Sequence, residues 1–258
     1  MKYIIDNYDK SICTLIINRP DQYNSLNTDV LIELENKLEV LEKNKEIRVI
    51  IITGSGNKSF IAGADIKEME NMSHRDAKIF SEYGQFVTNK IENYSKPIIA
   101  AINGYALGGG CEFAMACHLR YASENAIFGQ PEVKLGLIAG WGGTQRLPKI
   151  IGKNNALELL LTAKTIDSKE ALKLGLINKL FPSKDLISSV KKIAFDIADN
   201  APLAILATIK SLNSSYDSSN NIGFNHESEK FASLFKTEDV KEGISAFKSK
   251  VKPKFKGK

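Results

Sequence analysis

The hydrophobic pattern of this chain changes period again and again, and that alternation restricts its fold more than any single motif does. Residues 12–17 alternate as a strand does and stop at Asn18, Arg19 and Pro20. Leu31, Leu34, Leu38 and Leu41 then recur at helical spacing, behind Asn27 and Thr28, either of which can accept hydrogen bonds from the first free amides of a helix. The β-branched run at 49–52 returns to a buried strand that ends in Thr53-Gly54-Ser55-Gly56. Ser73, with Asp76 three residues on, marks a second helix start, and Phe80, Tyr83, Val87 and Ile91 form its apolar stripe. Pro97 opens a further strand over Ile98–Ile102. Strand, helix, strand and helix in turn predict an α/β protein whose helices cross between strands.

The last quarter reads differently. Leu186, Val190, Ile193 and Ile197 make one helical stripe, Pro202 starts another, and two more amphipathic helices are expected around Phe231 and Phe247. The run SSYDSSNN places a linker at 217–221.

With 258 residues, 43% hydrophobic and 25% charged, the chain has the balance of an ordinary folded domain. No apolar run approaches the ~20 residues that span a bilayer, and MKYIIDNYDK lacks the pattern of a signal peptide, so a cytoplasmic protein without a membrane partner is expected. Cys13, Cys111 and Cys117 form no Cys-x-x-Cys pair and are read as reduced. His74, His118 and His226 have no metal-ligand spacing, so no metal is expected. The net charge of +5 suits an anionic ligand but is too mild to indicate nucleic acid. Lys248, Lys250, Lys252, Lys254, Lys256 and Lys258 alternate through the C-terminus, which reads as a solvated tail.

Two segments are hard to explain by folding alone. In SFIAGADIKEME (59–70), the small residues Ala62, Gly63 and Ala64 leave backbone amides open to a ligand, although a tight turn would use them equally well. In NGYALGGGCEFAMAC (103–117), three glycines inside a helix would cost roughly 1 kcal/mol each against Ala, so they are better placed at its start. There the free amides and the positive end of the helix dipole seat an oxygen that gains negative charge. The Gly-Lys-Ser/Thr ending of a nucleotide loop and the G-x-G-x-x-G dinucleotide spacing are both missing. Glu112 falls in the first turn of that helix among Cys111, Phe113, Ala114 and Met115, which suggests a partly buried carboxyl. Glu132, in FGQPEVKLGL, follows Pro131 and sits between glycines, so a loop is expected.

The strings IAGADIKEM, NGYALGGGCEFAMAC, FGQPEVKLGL and GGTQRL, in this order, resemble the enoyl-CoA hydratases of the crotonase family. The resemblance runs from NRPDQYNSLN (18–27) to EGISAFKSK near the C-terminus. It implies an α/β spiral of ββα units over residues 1–196, followed by a helical oligomerisation region over 197–258. It also implies the reversible syn hydration of short trans-2-enoyl-CoA to (3S)-3-hydroxyacyl-CoA, with no cofactor beyond the coenzyme A of the substrate. Cytoplasmic fatty-acid or butyrate metabolism and a trimer or homohexamer come with that reading.

By the same resemblance, the amides of Ala64 and Gly109 form an oxyanion hole and Glu112 and Glu132 are the catalytic pair. Gln130 and Gly140 orient the second glutamate or the water. Ala62, Ala64, Asp65, Ile66, Trp141, Phe247 and Lys250 match positions that meet the substrate or its coenzyme A. Isomerases and other members of the family often lack one of the two glutamates, whereas both are present here. An RNA-binding or purely CoA-binding protein on the same fold would have no use for either. The chain departs from the pattern at Gln22-Tyr23, where many members carry a lysine or arginine, at Ala139, often proline, and at His118, often aspartate. A packing role is expected for His118. Trp141 is expected to shorten the acyl pocket.

Overall fold

The computed structural model describes residues 3–215 and 220–258. In chain order the elements are β1 (Ile4–Asp9), β2 (Ile12–Ile17), α1 (Thr28–Lys43), β3 (Val49–Gly54), β4 (Ser59–Ile61), α2 (Ile66–Met69), α3 (His74–Glu92), β5 (Ile98–Ile102), β6 (Tyr105–Leu107) and α4 (Gly109–Ala116). There follow β7 (Leu119–Ser123), β8 (Ile127–Gly129), α5 (Gly143–Ile151), α6 (Lys153–Thr162), β9 (Thr165–Asp167), α7 (Ser168–Lys173), β10 (Lys179–Phe181), α8 (Leu186–Ala198), α9 (Pro202–Ser215), α10 (Asn220–Leu234) and α11 (Glu238–Ser249).

The strands form two sheets, one ordered β1-β2-β3-β5-β7-β10 and the other β4-β6-β8-β9. The β1–β2 hairpin is antiparallel and the rest of the large sheet is parallel. Each turn of the chain places one strand in the large sheet, a short one in the small sheet, and then helix: β3-β4-α2-α3, β5-β6-α4 and β7-β8-α5. This is the expected spiral of ββα units, and it brings the loops that follow β4, β6 and β8 to one side of the molecule.

Parallel strands covered on both faces must be apolar on both. Ile50 and Ile52 of β3 and Ile98, Ala100 and Ile102 of β5 join the core beneath α1, α3 and α4. Their alternating neighbours Val49, Ile51, Ile99 and Ala101 pack against Leu186, Val190 and Ala194 of α8 on the opposite face. α8 extends past position 197, where the C-terminal region was expected to begin, and ends at Ala198.

Local signals account for the helix starts. The Asn27 side chain accepts from the Val30 amide and begins α1, and Ser73 with Asp76 forms a reciprocal capping box on α3. α4 can lie close to β4 because Gly110 has no side chain, since a Cβ there would stand 1.9 Å from the Ile61 carbonyl oxygen. The expected linker at 217–221 falls through residue 219 outside the described residues, and α10 begins at Asn220.

The C-terminal lysines do not form a free tail. Asp239 accepts from the amides of Lys256 and Gly257 at 2.7 and 2.8 Å, and Arg48 donates to the Phe255 carbonyl at 2.5 Å. The segment is an extended strap in which Lys252, Lys254, Lys256 and Lys258 are exposed while Pro253, Phe255 and Gly257 are half-buried. The lysine alternation is the period of extended backbone.

Two glycines test this packing in opposite directions. Gly110→Ala should destabilise by about 1–3 kcal/mol or more through overpacking. Gly223→Ala, inside α10 with open space around it, should stabilise by roughly 0.5–1 kcal/mol. Chemical denaturation of both variants reads the two signs.

Candidate active site

The loops after β4 and β6 meet over α4. The carbonyl of Gly63 accepts from the Leu26 amide at 2.9 Å, and the Asp65 amide donates to Leu26 at 2.8 Å. The carbonyl of Gly108 accepts from the amides of Cys111 and Glu112 at 2.8 and 3.0 Å. The N–H groups of the same two peptide units are those of Ala64 and Gly109, and among the described residues neither has a backbone acceptor. A Cβ built on Gly109 would lie 3.4 Å from the Ala64 nitrogen and 2.7 Å from the Trp141 ring, so the two amides are neighbours. Both line a cavity of about 340 Å³, and Gly109 opens α4, whose positive end adds to the attraction for an anionic oxygen.

Glu112, in the first turn of α4, is 2% exposed. Its Oε1 accepts from the Trp141 amide at 2.8 Å and the Gly143 amide at 2.6 Å. Burial raises its pKa, and the Gly143 and Trp141 amides and the Arg146 charge pull against that rise.

Glu132 begins a 3-10 turn, Glu132–Leu135, rather than a loop without regular structure. Its carboxyl faces the same cavity and is pushed up to about 7 by burial, with the Glu112 charge adding to the effect. Gln130 is 1% exposed, and with its amide nitrogen turned to Glu132 it donates to Oε1 and Oε2 at 2.9 and 3.1 Å. This orientation is the one the hydrogen-bond network selects.

Of the other expected positions, Ala62, Ile66, Gly140 and Trp141 line the cavity. The Gly140 carbonyl accepts from Ser81 Oγ and Gln85 Nε2. Asp65 has its carboxylate turned to Arg19 at 2.8 Å and to the Lys67 amide at 3.2 Å, so it braces the Ala64 loop. Phe247 is 86% exposed on α11 and Lys250 caps that helix; neither joins this cavity. His118 accepts from the Ile98 amide through Nδ1 and meets the Glu92 carbonyl through Nε2; burial lowers its pKa to about 4, which fits a packing role. Among the described residues no group of three or more His, Cys, Asp or Glu is arranged to hold a metal.

Sequence reading missed the apolar wall, to which Met69, Met72, Phe80, Leu107, Leu135 and Ile138 contribute. Phe80 was legible only as part of a helical stripe, and the rest belong to segments without a period.

The sequence model of the enoyl-CoA hydratase/isomerase family matches residues 7–258. The chain is similar to a crotonyl-CoA hydratase of Syntrophomonas wolfei, at 44% identity over 252 residues, covering 98% of this chain and 97% of that protein. It is 42% identical over 249 residues to a short-chain-enoyl-CoA hydratase of Clostridium acetobutylicum, covering 96% and 95%. The crystal structure of an enoyl-CoA hydratase from Bacillus anthracis matches with a TM-score of 0.96 at 36% identity, covering 99% of this chain and 100% of that one.

The raised pKa of Glu132 has a consequence for stability. The folded chain keeps this proton up to about 7, whereas an ordinary carboxyl loses it near 4.5. The stabilisation is therefore fully present below the lower value and is lost as pH rises through the upper one. Glu132→Gln removes the penalty of ionising a half-buried acid, so its melting temperature relative to wild type should climb between those two values and then level. A difference that stays flat with pH would contradict the burial of this carboxyl.

Proposed function

This chain belongs to the enoyl-CoA hydratase/isomerase family, and from that premise we propose that it reversibly hydrates short trans-2-enoyl-CoA thioesters such as crotonyl-CoA to (3S)-3-hydroxyacyl-CoA. One observation carries the proposal: two glutamate carboxyls in different environments share a cavity with two free amide N–H groups. Isomerisation calls for no attacking water, and thioester hydrolysis calls for attack at the carbonyl rather than beside it.

In this reading the thioester carbonyl accepts from Ala64 and Gly109. Glu112, as carboxylate, takes a proton from water while the water oxygen bonds to the β-carbon. The π electrons of the double bond move toward the carbonyl and form an enolate held by the two amides. Protonated Glu132 then delivers its proton to the α-carbon, and proton exchange returns both carboxyls to their starting states. Syn addition follows in this reading from both carboxyls meeting the same face of the enoyl group. One oxyanion donor is typically worth about 2.7–4 kcal/mol. Ala62, Asp65 and Ile66 remain the positions proposed for the coenzyme, with Phe247 and Lys250 at the C-terminus.

The acyl end of the cavity supports a short substrate. Trp141 is 3% exposed and packs on Phe80 with ring centroids 5.4 Å apart. A Cβ on Gly84 would lie 2.2 Å from the indole, so α3 is closely packed behind it. The same substrate chemistry serves short-chain fatty-acid or butyrate metabolism in either direction. A homo-oligomer is also proposed, since Phe224 and Phe231 of α10, Phe235 in the turn after it and Phe247 of α11 are all more than half exposed.

The direct test is incubation with crotonyl-CoA, where loss of enoyl absorbance and appearance of 3-hydroxybutyryl-CoA are expected. A folded, CoA-binding protein that only shifts the double bond, or leaves crotonyl-CoA untouched, would overturn the proposal. Trp141→Ala, with Trp141→Leu as the milder change, should raise kcat/KM on eight-carbon relative to four-carbon substrate by at least about tenfold, given ~1–3 kcal/mol per methylene in an apolar pocket. An unchanged ratio would remove Trp141 from chain-length control.

A further inference from the structure

We infer that one face of α3, together with Arg146 of α5, is a positioning clamp for Glu112: Ser81, Gln85, Thr88 and Arg146 hold the 140–143 backbone so that its amides stay aimed at the carboxylate. The inference rests on the role proposed for Glu112.

The 140–143 segment has little stiffness of its own. Gly140, Gly142 and Gly143 surround Trp141, and Gly142 sits at φ 109°, a conformation only glycine adopts readily. The peptide unit between Gly140 and Trp141 is gripped at both ends. Its carbonyl accepts from Ser81 Oγ at 2.7 Å and Gln85 Nε2 at 3.0 Å, and its N–H donates to Glu112 Oε1 at 2.8 Å. The next carbonyl, that of Trp141, accepts from Thr88 Oγ1 at 2.9 Å and Arg146 Nη1 at 3.0 Å. One peptide further on, the Gly143 amide makes the second bond to Glu112.

Residues 81, 85, 88 and 92 follow helical spacing and therefore share one face of α3. Glu92 and Asn89 complete the clamp by fixing the guanidinium. Arg146 Nη2 lies 2.8 Å from Glu92 Oε2 and 2.6 Å from Asn89 Oδ1, and Arg146 Nε lies 3.1 Å from Glu92 Oε2. The guanidinium thus faces a carbonyl on one side and an anion on the other, an arrangement that a planar fork of donors suits. The charged groups around Glu112 are Arg146 behind the glycine-rich segment and Glu132 on the cavity side. Loosening the clamp weakens two donors that favour the carboxylate, so the pKa of Glu112 moves up and the base becomes harder to ionise.

Ser81→Ala/Gln85→Ala and Arg146→Gln are the test variants, with Arg146→Lys as the conservative one. Three quantities are read per folded molecule: kcat and KM on crotonyl-CoA, the pH profile of kcat/KM, and the titration of the Glu112 carboxyl carbon by NMR without substrate. Expected are a fall in kcat of roughly 10- to 100-fold, the scale of a misplaced catalytic group, with KM little changed. The acid limb of the profile and the carboxyl titration should both move to higher pH, and Arg146→Lys should recover part of each effect. A rate that falls only in proportion to unfolded protein, or a Glu112 titration that does not move, would overturn the clamp. Because the titration needs no turnover, a wild type inactive on crotonyl-CoA would sink the reaction proposed above and leave the clamp still open to test.

Discussion

The amides of Ala64, Gly109, Trp141 and Gly143 each belong to a peptide unit whose carbonyl is already held on its far side. Gly63 is held by the Leu26 amide, Gly108 by the amides of Cys111 and Glu112, Gly140 by the Ser81 and Gln85 side chains, and Gly142 by the amides of Gln145 and Arg146. A peptide anchored in this way cannot turn its N–H elsewhere, and the bond to its carbonyl polarises the N–H. Donors fixed before the reaction need no reorganisation during it, which is the condition under which an oxyanion is stabilised most. The spiral of ββα units supplies the anchors, because each turn delivers a loop to the same side and a helix to brace it.

The carboxyls depend on the same framework. Burial raises the pKa of both, that of Glu112 against two backbone donors on one oxygen and that of Glu132 to about 7. In the proposed reaction the two carboxyls hold opposite protonation states, which acids in different surroundings can do at one pH. Met69 and the buried Phe80 line the cavity that both carboxyls face.

Much of this was legible in the sequence. Periodicity announced β2, α1, α3 and α8, the β-branched run at 49–52 and the strand opened by Pro97 announced β3 and β5, and the capping residues Asn27 and Ser73 marked their helices. The glycine run and Glu112 were readable because three consecutive glycines beside an acid among apolar residues conflict with ordinary helix composition. The strands β4, β6, β8, β9 and β10 were not legible, since three residues carry no period. The bracing roles of Asp65 and Arg146 were hidden for a related reason: their partners Arg19 and Glu92 lie 46 and 54 residues away. The ordered lysine strap looked like a solvated tail because it is anchored largely through its backbone amides and carbonyls, which no side-chain pattern reports.

In the proposed reaction Glu112 activates the water and Glu132 protonates the α-carbon, two halves of one addition. The most direct measurement is a double-mutant cycle on crotonyl-CoA hydration with Glu112→Gln, Glu132→Gln and the combined variant, each verified as folded. Each single change should lower kcat by at least about a hundredfold, within the ~10² to 10⁴ of positioned acid–base catalysis, and the double variant should fall little further. Two losses that multiply in the double variant, or either single variant retaining wild-type turnover, would contradict a shared role.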